Sequence, residues 1–184
     1  VAPRLEPLRT ERLLLRPFSD ADLPSVIGIQ AAAETHPHEP APASPAQART
    51  QFDLWRRHWA DHGFGYVAVV EHRSGTVVGV GGVQRSDLDG RGVLNLYYRF
   101  RPDAWGRGYA PEMARAILAW VDRAVPHLPV VIVTNIDNKP ARRVADKLGF
   151  REYKRDLYRG MPAVYYRRPT AADGRPRPGT AATG

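Results

Sequence analysis

The sequence predicts one α/β domain in which a mixed sheet is flanked by four helices. Three observations carry that reading. Two pairs of strand-like runs are joined by turn residues, at 66–84 and 150–168. Four segments show helical spacing or helix-start and helix-stop residues. Between the last two helices lies Val130–Thr134, a short continuous apolar run of the kind found in the middle of a sheet. The element order is β-α-α-β-β-β-α-β-α-β-β, with no internal repeat. The domain is expected to span residues 1–168. The remainder, 169–184, is rich in Pro, Ala, Gly and Thr, carries no bulky apolar residue, and is expected to be a disordered tail.

Taken in order, Glu11–Phe18 has the apolar centre Leu13-Leu14-Leu15 and predicts a first strand. Ser19 and Asp20 then offer caps for a short helix to about Gln30, with Leu23, Val26, Ile27 and Gln30 on one face. Ala31–Ala43 is read as a loop. Ser44-Pro45-Ala46-Gln47 has the pattern of a capping box with proline in the first turn. Phe52, Trp55 and Trp59 follow at helical spacing, and Gly63 stops that helix. Tyr66–Glu71 and Thr76–Gln84 form a hairpin around Arg73-Ser74-Gly75, and Arg85–Gly92 is polar and turn-rich. Val93–Phe100 is a strand. A loop through Trp105-Gly106-Arg107-Gly108 leads to a helix from about Pro111 to Ala124, with Met113, Ile117, Trp120 and Val121 on its apolar side. Lys139–Leu148 is the last helix, closed by Gly149. Phe150–Tyr158 and Ala163–Arg168 make a final hairpin.

Composition narrows the function classes. The chain has no cysteine, which rules out disulfides and a thiol nucleophile. The opening Val-Ala-Pro-Arg lacks the charged-then-apolar pattern of a secretory signal, and no apolar run reaches the roughly 20 residues a membrane helix needs. A cytoplasmic protein without membrane contact is expected, as a monomer or homodimer. The net charge of +8 suits a polyanionic partner, but only Lys139, Lys147 and Lys154 of 27 basic residues are lysine. No dense basic run with interleaved aromatics marks a nucleic-acid groove, and charge alone does not choose between a phosphorylated cofactor and nucleic acid.

The segment Trp105-Gly106-Arg107-Gly108-Tyr109-Ala110-Pro111-Glu112 holds most of the chemistry. It lies between a strand and a helix. Glycines there let the chain turn tightly with several N–H groups pointing one way, and a helix start adds unpaired donors and a positive dipole end. Both features favour a pyrophosphate. A dinucleotide fingerprint would need glycine where Pro111 stands, and a P-loop would need a Gly-Lys-Ser/Thr ending that is absent.

Three stretches together carry a family resemblance: Leu8–Pro17, Pro102–Glu112 and Asn138–Phe150. The chain resembles the GNAT N-acetyltransferase superfamily, and within it the ribosomal-protein-N-acetyltransferase branch. The resemblance implies a splayed, mostly antiparallel central sheet opening between the Val93–Phe100 and Val130–Thr134 strands, with acetyl-coenzyme A lying in the opening. It further implies that Gly106, Arg107, Gly108, Tyr109, Ala110 and Pro111 surround the cofactor pyrophosphate. Tyr98, Arg99 and Phe100 would line the pantetheine arm, with an N–H near Tyr98 as oxyanion donor, and Asn138 would bond the pantetheine or the incoming amine. Arg101, Arg107 and Arg142 are further candidates for the phosphates.

The same resemblance exposes a gap. Relatives often place a carboxylate base on the strand before the phosphate loop, where this chain has Asn95. Their proton donors fall on Ala141 and Ala145. Tyr153 and Tyr158 are candidate acids, although packing roles suit them better. Asp87 and Asp89 read as solvated turn residues. His36, His38 and Glu39 have spacing that would permit a metal, but prolines interrupt them and no metal site is expected. Trp55, Trp59 and Trp120 read as core. Gly79, Gly81 and Gly82 mark a bulge or close helix packing. The expected activity is acetyl transfer from acetyl-coenzyme A to an amine, either a protein N-terminus or a small molecule. The alternative is a non-catalytic acyl-coenzyme A-binding module.

Overall fold

A computed structural model describes residues 2–39 and 41–169. The expected tail therefore lies, apart from Pro169, outside the described residues. Eight strands form one sheet in the order β1-β2-β3-β4-β5-β6-β8-β7. They are β1 Leu8–Arg9, β2 Leu13–Arg16, β3 Tyr66–Glu71, β4 Val77–Leu88, β5 Arg91–Phe100, β6 Val130–Asn135, β7 Arg151–Tyr158 and β8 Met161–Arg167. All neighbours are antiparallel except β5 and β6. The four helices are α1 Leu23–Ala31, α2 Pro45–His62, α3 Tyr109–Ala124 and α4 Lys139–Lys147.

Local sequence explains most boundaries. The Ser44 hydroxyl accepts from the Gln47 amide at 3.2 Å while Gln47 Oε1 accepts from the Ser44 amide at 2.8 Å, so the capping box forms. Gly63 ends α2 in the left-handed region at φ 73. The first strand is shorter than expected, because Thr10–Arg12 turns back to let Leu8–Arg9 pair with Leu14–Leu15. The polar stretch 85–92 is also mostly strand. β4 runs on to Leu88 and β5 starts at Arg91, with only Asp89 and Gly90 as the turn, both at positive φ. An Asp-Gly pair in a two-residue hairpin favours that geometry, and polarity alone hid it. The last hairpin uses Arg159-Gly160 in the same way, so Met161 and Pro162 belong to β8 rather than to the turn.

Each face of the sheet is covered by two helices. One core packs α3 and α4 through Met113, Ile117, Val121 and Ala145 onto Leu94, Leu96 and Phe100. The other packs α1 and α2 through Val26, Ile29, Phe52 and Trp55 onto Tyr66, Ala68 and Val80. Glycines in β4 let α3 lie close. A Cβ on Gly81 would sit 2.7 Å from Met113 Cε and one on Gly79 2.5 Å from the Phe100 ring. The glycine run therefore serves packing. Trp55 and Trp120 are buried, and Trp59 packs on the first core while donating to the Tyr66 carbonyl at 2.6 Å. No helix among the described residues is long and apolar enough to cross a membrane.

Candidate active site

The parallel pair β5–β6 holds together over two register positions, Leu94↔Val130 and Asn95↔Val131. Beyond them β5 continues beside β4 to Phe100, and β6 continues beside β8 to Asn135. The two strands thus diverge, and Leu96–Phe100 and Ile132–Asn135 face each other across an opening. Tyr98, Arg99 and Phe100 all lie in the stretch of β5 that is paired with β4 but not with β6.

At the far end of β5 a 3-10 turn, Pro102–Ala104, leads into the glycine loop. The half-exposed Trp105 ring fixes the loop's start by donating from Nε1 to the Phe100 carbonyl at 2.9 Å. Gly106 and Gly108 have φ 71 and 77. Open space surrounds a Cβ at Gly106, and one at Gly108 would come no closer than 3.5 Å, to Arg12. Conformation, rather than crowding, is what demands glycine here. Gly108 is the N-cap of α3, so the helix starts at Tyr109, two residues before the expected Pro111. Among the described residues, the amides of Gly106, Gly108, Tyr109 and Ala110 reach no main-chain acceptor, and the first amide bonded back is Glu112 to Gly108. Four donors and a helix N-terminus therefore stand free beside the opening, which is the donor set a diphosphate requires.

Side chains brace the loop from behind. Glu112 accepts from Thr10 Oγ1 at 2.6 Å, from the Arg12 amide at 2.9 Å and from Arg12 Nε at 2.7 Å. Partial burial alone would raise its pKa, but these donors outweigh burial and hold the carboxyl below the usual range. Arg12 Nη1 also donates to the Arg107 carbonyl at 2.7 Å. Arg107 Nη1 reaches Glu71 at 3.3 Å, and the Tyr109 hydroxyl donates to the same carboxylate. Thr10, Arg12 and Glu71 were not singled out from sequence. Thr10 and Arg12 lie within the Leu8–Pro17 stretch that carries the resemblance, and Glu71 ends a strand-like run, but neither trace assigned them to the loop.

Side chains alternate along β5. Tyr98 faces the α3 side, where burial pushes its hydroxyl above the usual phenol range. Asn95, Tyr97 and Arg99 face α1 and α2. The Arg99 guanidinium, 14% exposed, donates to the Tyr97 hydroxyl at 3.0 Å and to Glu39 at 2.5 Å, and touches the His36 ring. His36 Nε2 donates to the Gln30 carbonyl at 2.6 Å, and Asn135 Nδ2 on β6 donates to the His38 carbonyl at 3.3 Å. The 36–39 loop thus spans the two diverging strands. Glu39 is desolvated, which alone would raise its pKa, yet Arg99 and His36 bring it below the ordinary range. His36 and Glu39 are engaged in this network, and no three metal-ligating residues converge among the described residues.

The other candidates fall as follows. Asn138 caps α4 by accepting from the Ala141 amide at 3.1 Å, leaving its side-chain nitrogen outside that cap. Ala145 is fully buried. Arg142 ties α4 to the Tyr166 hydroxyl and the Ile136 carbonyl, each at 3.1 Å, and Arg101 pairs with Asp103 at 3.0 Å. Tyr153 is half-exposed on β7, the last strand of the sheet, against Tyr165; β8 separates it from β6. Tyr158 also packs on Tyr165. Asp87 accepts from the Gly90 amide at 2.8 Å and Asp89 pairs with Lys154 at 3.1 Å, so both serve the hairpin tip.

A diverging parallel strand pair with a glycine-rich helix start at its end is the arrangement that the resemblance in the sequence implies. A family model for the acetyltransferase (GNAT) domain matches residues 12–151. The chain belongs to the GNAT acetyltransferase family. The uncharacterized protein YkkB of Bacillus subtilis is 26% identical over 165 residues, 88% of this chain and 94% of that protein. An acetyltransferase structure from Agrobacterium tumefaciens superposes with a TM-score of 0.76 at 24% identity, covering 89% of this chain and 94% of that one. Mycobacterium smegmatis RimJ in complex with CoA-disulfide gives 0.66 at 20% identity, covering 91% and 87%. The eight-stranded open sheet and four helices of this GNAT domain match those neighbours in fold.

Proposed function

We propose that this GNAT domain is an acetyl-coenzyme A-dependent N-acetyltransferase whose preferred acceptor is an amine of low pKa, best met by a polypeptide N-terminus. The observation that carries the cosubstrate is the row of free amides at Gly106, Gly108, Tyr109 and Ala110 beside the β5–β6 opening. On this reading Tyr98, Arg99 and Phe100 would line that opening, and Arg107, Pro111 and Asn138 would contact the cosubstrate. The thioester supplies an activated acetyl group. The amine nitrogen bonds to the carbonyl carbon, the carbon–sulfur bond breaks, and the amine's proton ends on the departing thiol.

The acceptor class follows from what the site lacks. Asn95 cannot take a proton, and Glu39 is tied to Arg99 and held below its usual carboxylate range. An α-amine with pKa about 7.8 is neutral in roughly one molecule in seven at pH 7, whereas a lysine at about 10.4 is neutral in about one in 2,500. Loss of a base therefore costs an α-amine about tenfold and a lysine thousands-fold. Thiol release should be faster with a peptide bearing a free N-terminus than with its Nα-blocked, lysine-bearing analogue. Faster reaction of the lysine peptide would refute the acceptor class. Binding of coenzyme A with no thiol release from any amine would favour the non-catalytic module, which Asn95, Ala141 and the buried Ala145 recommend.

A further inference from the structure

We infer that Arg12 is a positioning residue for the cosubstrate diphosphate, acting through the loop without touching the ligand. The inference rests on the reading of Gly106–Ala110 as a diphosphate cradle. A loop with two left-handed glycines has wide conformational freedom, and its amides converge only while something holds it. Arg12 does so at two points: Nη1 holds the Arg107 carbonyl at 2.7 Å, between the two glycines, and Nε and Nη2 hold Glu112 at 2.7 and 2.6 Å. Its own amide and Thr10 Oγ1 complete the grip on the same carboxylate.

The charge balance points the same way. Glu112 lies in the first turn of α3, where a carboxylate suits the helix dipole but repels an incoming diphosphate. Arg12 neutralises it through the ion pair at 2.6 Å. Its guanidinium also lies over the Tyr109 ring, 4.8 Å from the centroid, which fixes the first residue of the helix. A segment a hundred residues upstream thus sets the shape and charge of the phosphate loop.

Two measurements test this. By calorimetry, Arg12→Gln should weaken coenzyme A about tenfold, the equivalent of one charge-assisted hydrogen bond, and leave pantetheine, which has no diphosphate, unchanged. KM for acetyl-coenzyme A should rise in step while kcat holds. In the ligand-free protein, tryptic cleavage after Arg107, quantified by mass spectrometry, should accelerate by a similar factor because its carbonyl is released. Arg12→Lys should fall between the two. If Arg12→Gln fails to fold, Thr10→Val gives the same readouts at smaller amplitude. Equal weakening of coenzyme A and pantetheine, or no change in either affinity or cleavage, would overturn the proposal. If the unaltered protein binds no coenzyme A, the functional reading falls, while the cleavage rates still decide whether Arg12 holds the loop.

Discussion

The side-chain amide of Asn95 donates to the Tyr66 hydroxyl at 2.8 Å. Tyr66 is buried among Trp55 and Tyr97, and that burial drives its hydroxyl well above the usual phenol range. The β5 position from which relatives are expected to present a carboxylate is therefore locked into a neutral pair. Neither partner takes up a proton near pH 7, so under the proposed function the amine would have to arrive already deprotonated.

A pH profile follows. With an α-amine acceptor, kcat/KM should climb with pH to a single inflection near the amine's own pKa of about 7.8 and show no inflection in the carboxylate range. Asn95→Asp should raise the rate on a lysine peptide relative to an α-amine peptide by about a hundredfold, the low end of general-base contributions. Steady-state thiol release at several pH values measures both. An unchanged substrate ratio would argue that Asn95 does not adjoin the reacting amine.

Substitutions in the glycine loop separate conformation from crowding. At φ 77, an alanine or valine at Gly108 incurs about 1–2 kcal/mol of backbone strain although space is open. The loop is expected to escape that strain by moving, so coenzyme A binding should fall about tenfold with little change in melting temperature. Calorimetry beside a thermal melt separates the two effects.

His58 sets an acid limit on stability. It accepts the Arg85 amide at Nε2, 3.1 Å, so Nδ1 carries the proton and donates to the Phe64 carbonyl at 3.0 Å. Burial first, with neighbouring His62 and Arg85 adding to it, lowers its pKa from 6.5 to about 4. The unfolded chain then binds more protons than the folded one between those values. Stability is complete above about pH 6.5 and is lost as pH falls toward 4, by up to about 3 kcal/mol. Urea titrations at pH 7.5 and 5 should show the loss, and His58→Gln should lessen it.

Two glycines should respond in opposite directions. Gly81→Val forces a side chain against Met113 and Tyr98 and should cost about 1–3 kcal/mol. Gly28, inside α1 with nothing within 4 Å of a Cβ, should gain about 0.5–1 kcal/mol on replacement by alanine. Chemical denaturation of the two variants checks the pair.

Legibility from sequence followed the range of the interactions. The Ser44 capping box, the Gly63 stop and the helix-following Gly149 all read correctly, because each is decided within a few residues. The stretch 85–92 misled because exposed strand residues are as polar as turns. Only the Asp89-Gly90 pair marks where the chain reverses.

The candidate site divides along the same line. The sequence alone determined four helices, two of the hairpins and a glycine loop between β5 and α3, since caps, turns and glycine conformations are local. Tertiary structure alone decided that β5 and β6 part after Asn95, that Arg12 grips Glu112, and that Arg99 draws Glu39 across the opening. Those partners stand 100 and 60 residues apart, and no local pattern records which distant charge the packing of the sheet will bring within 3 Å.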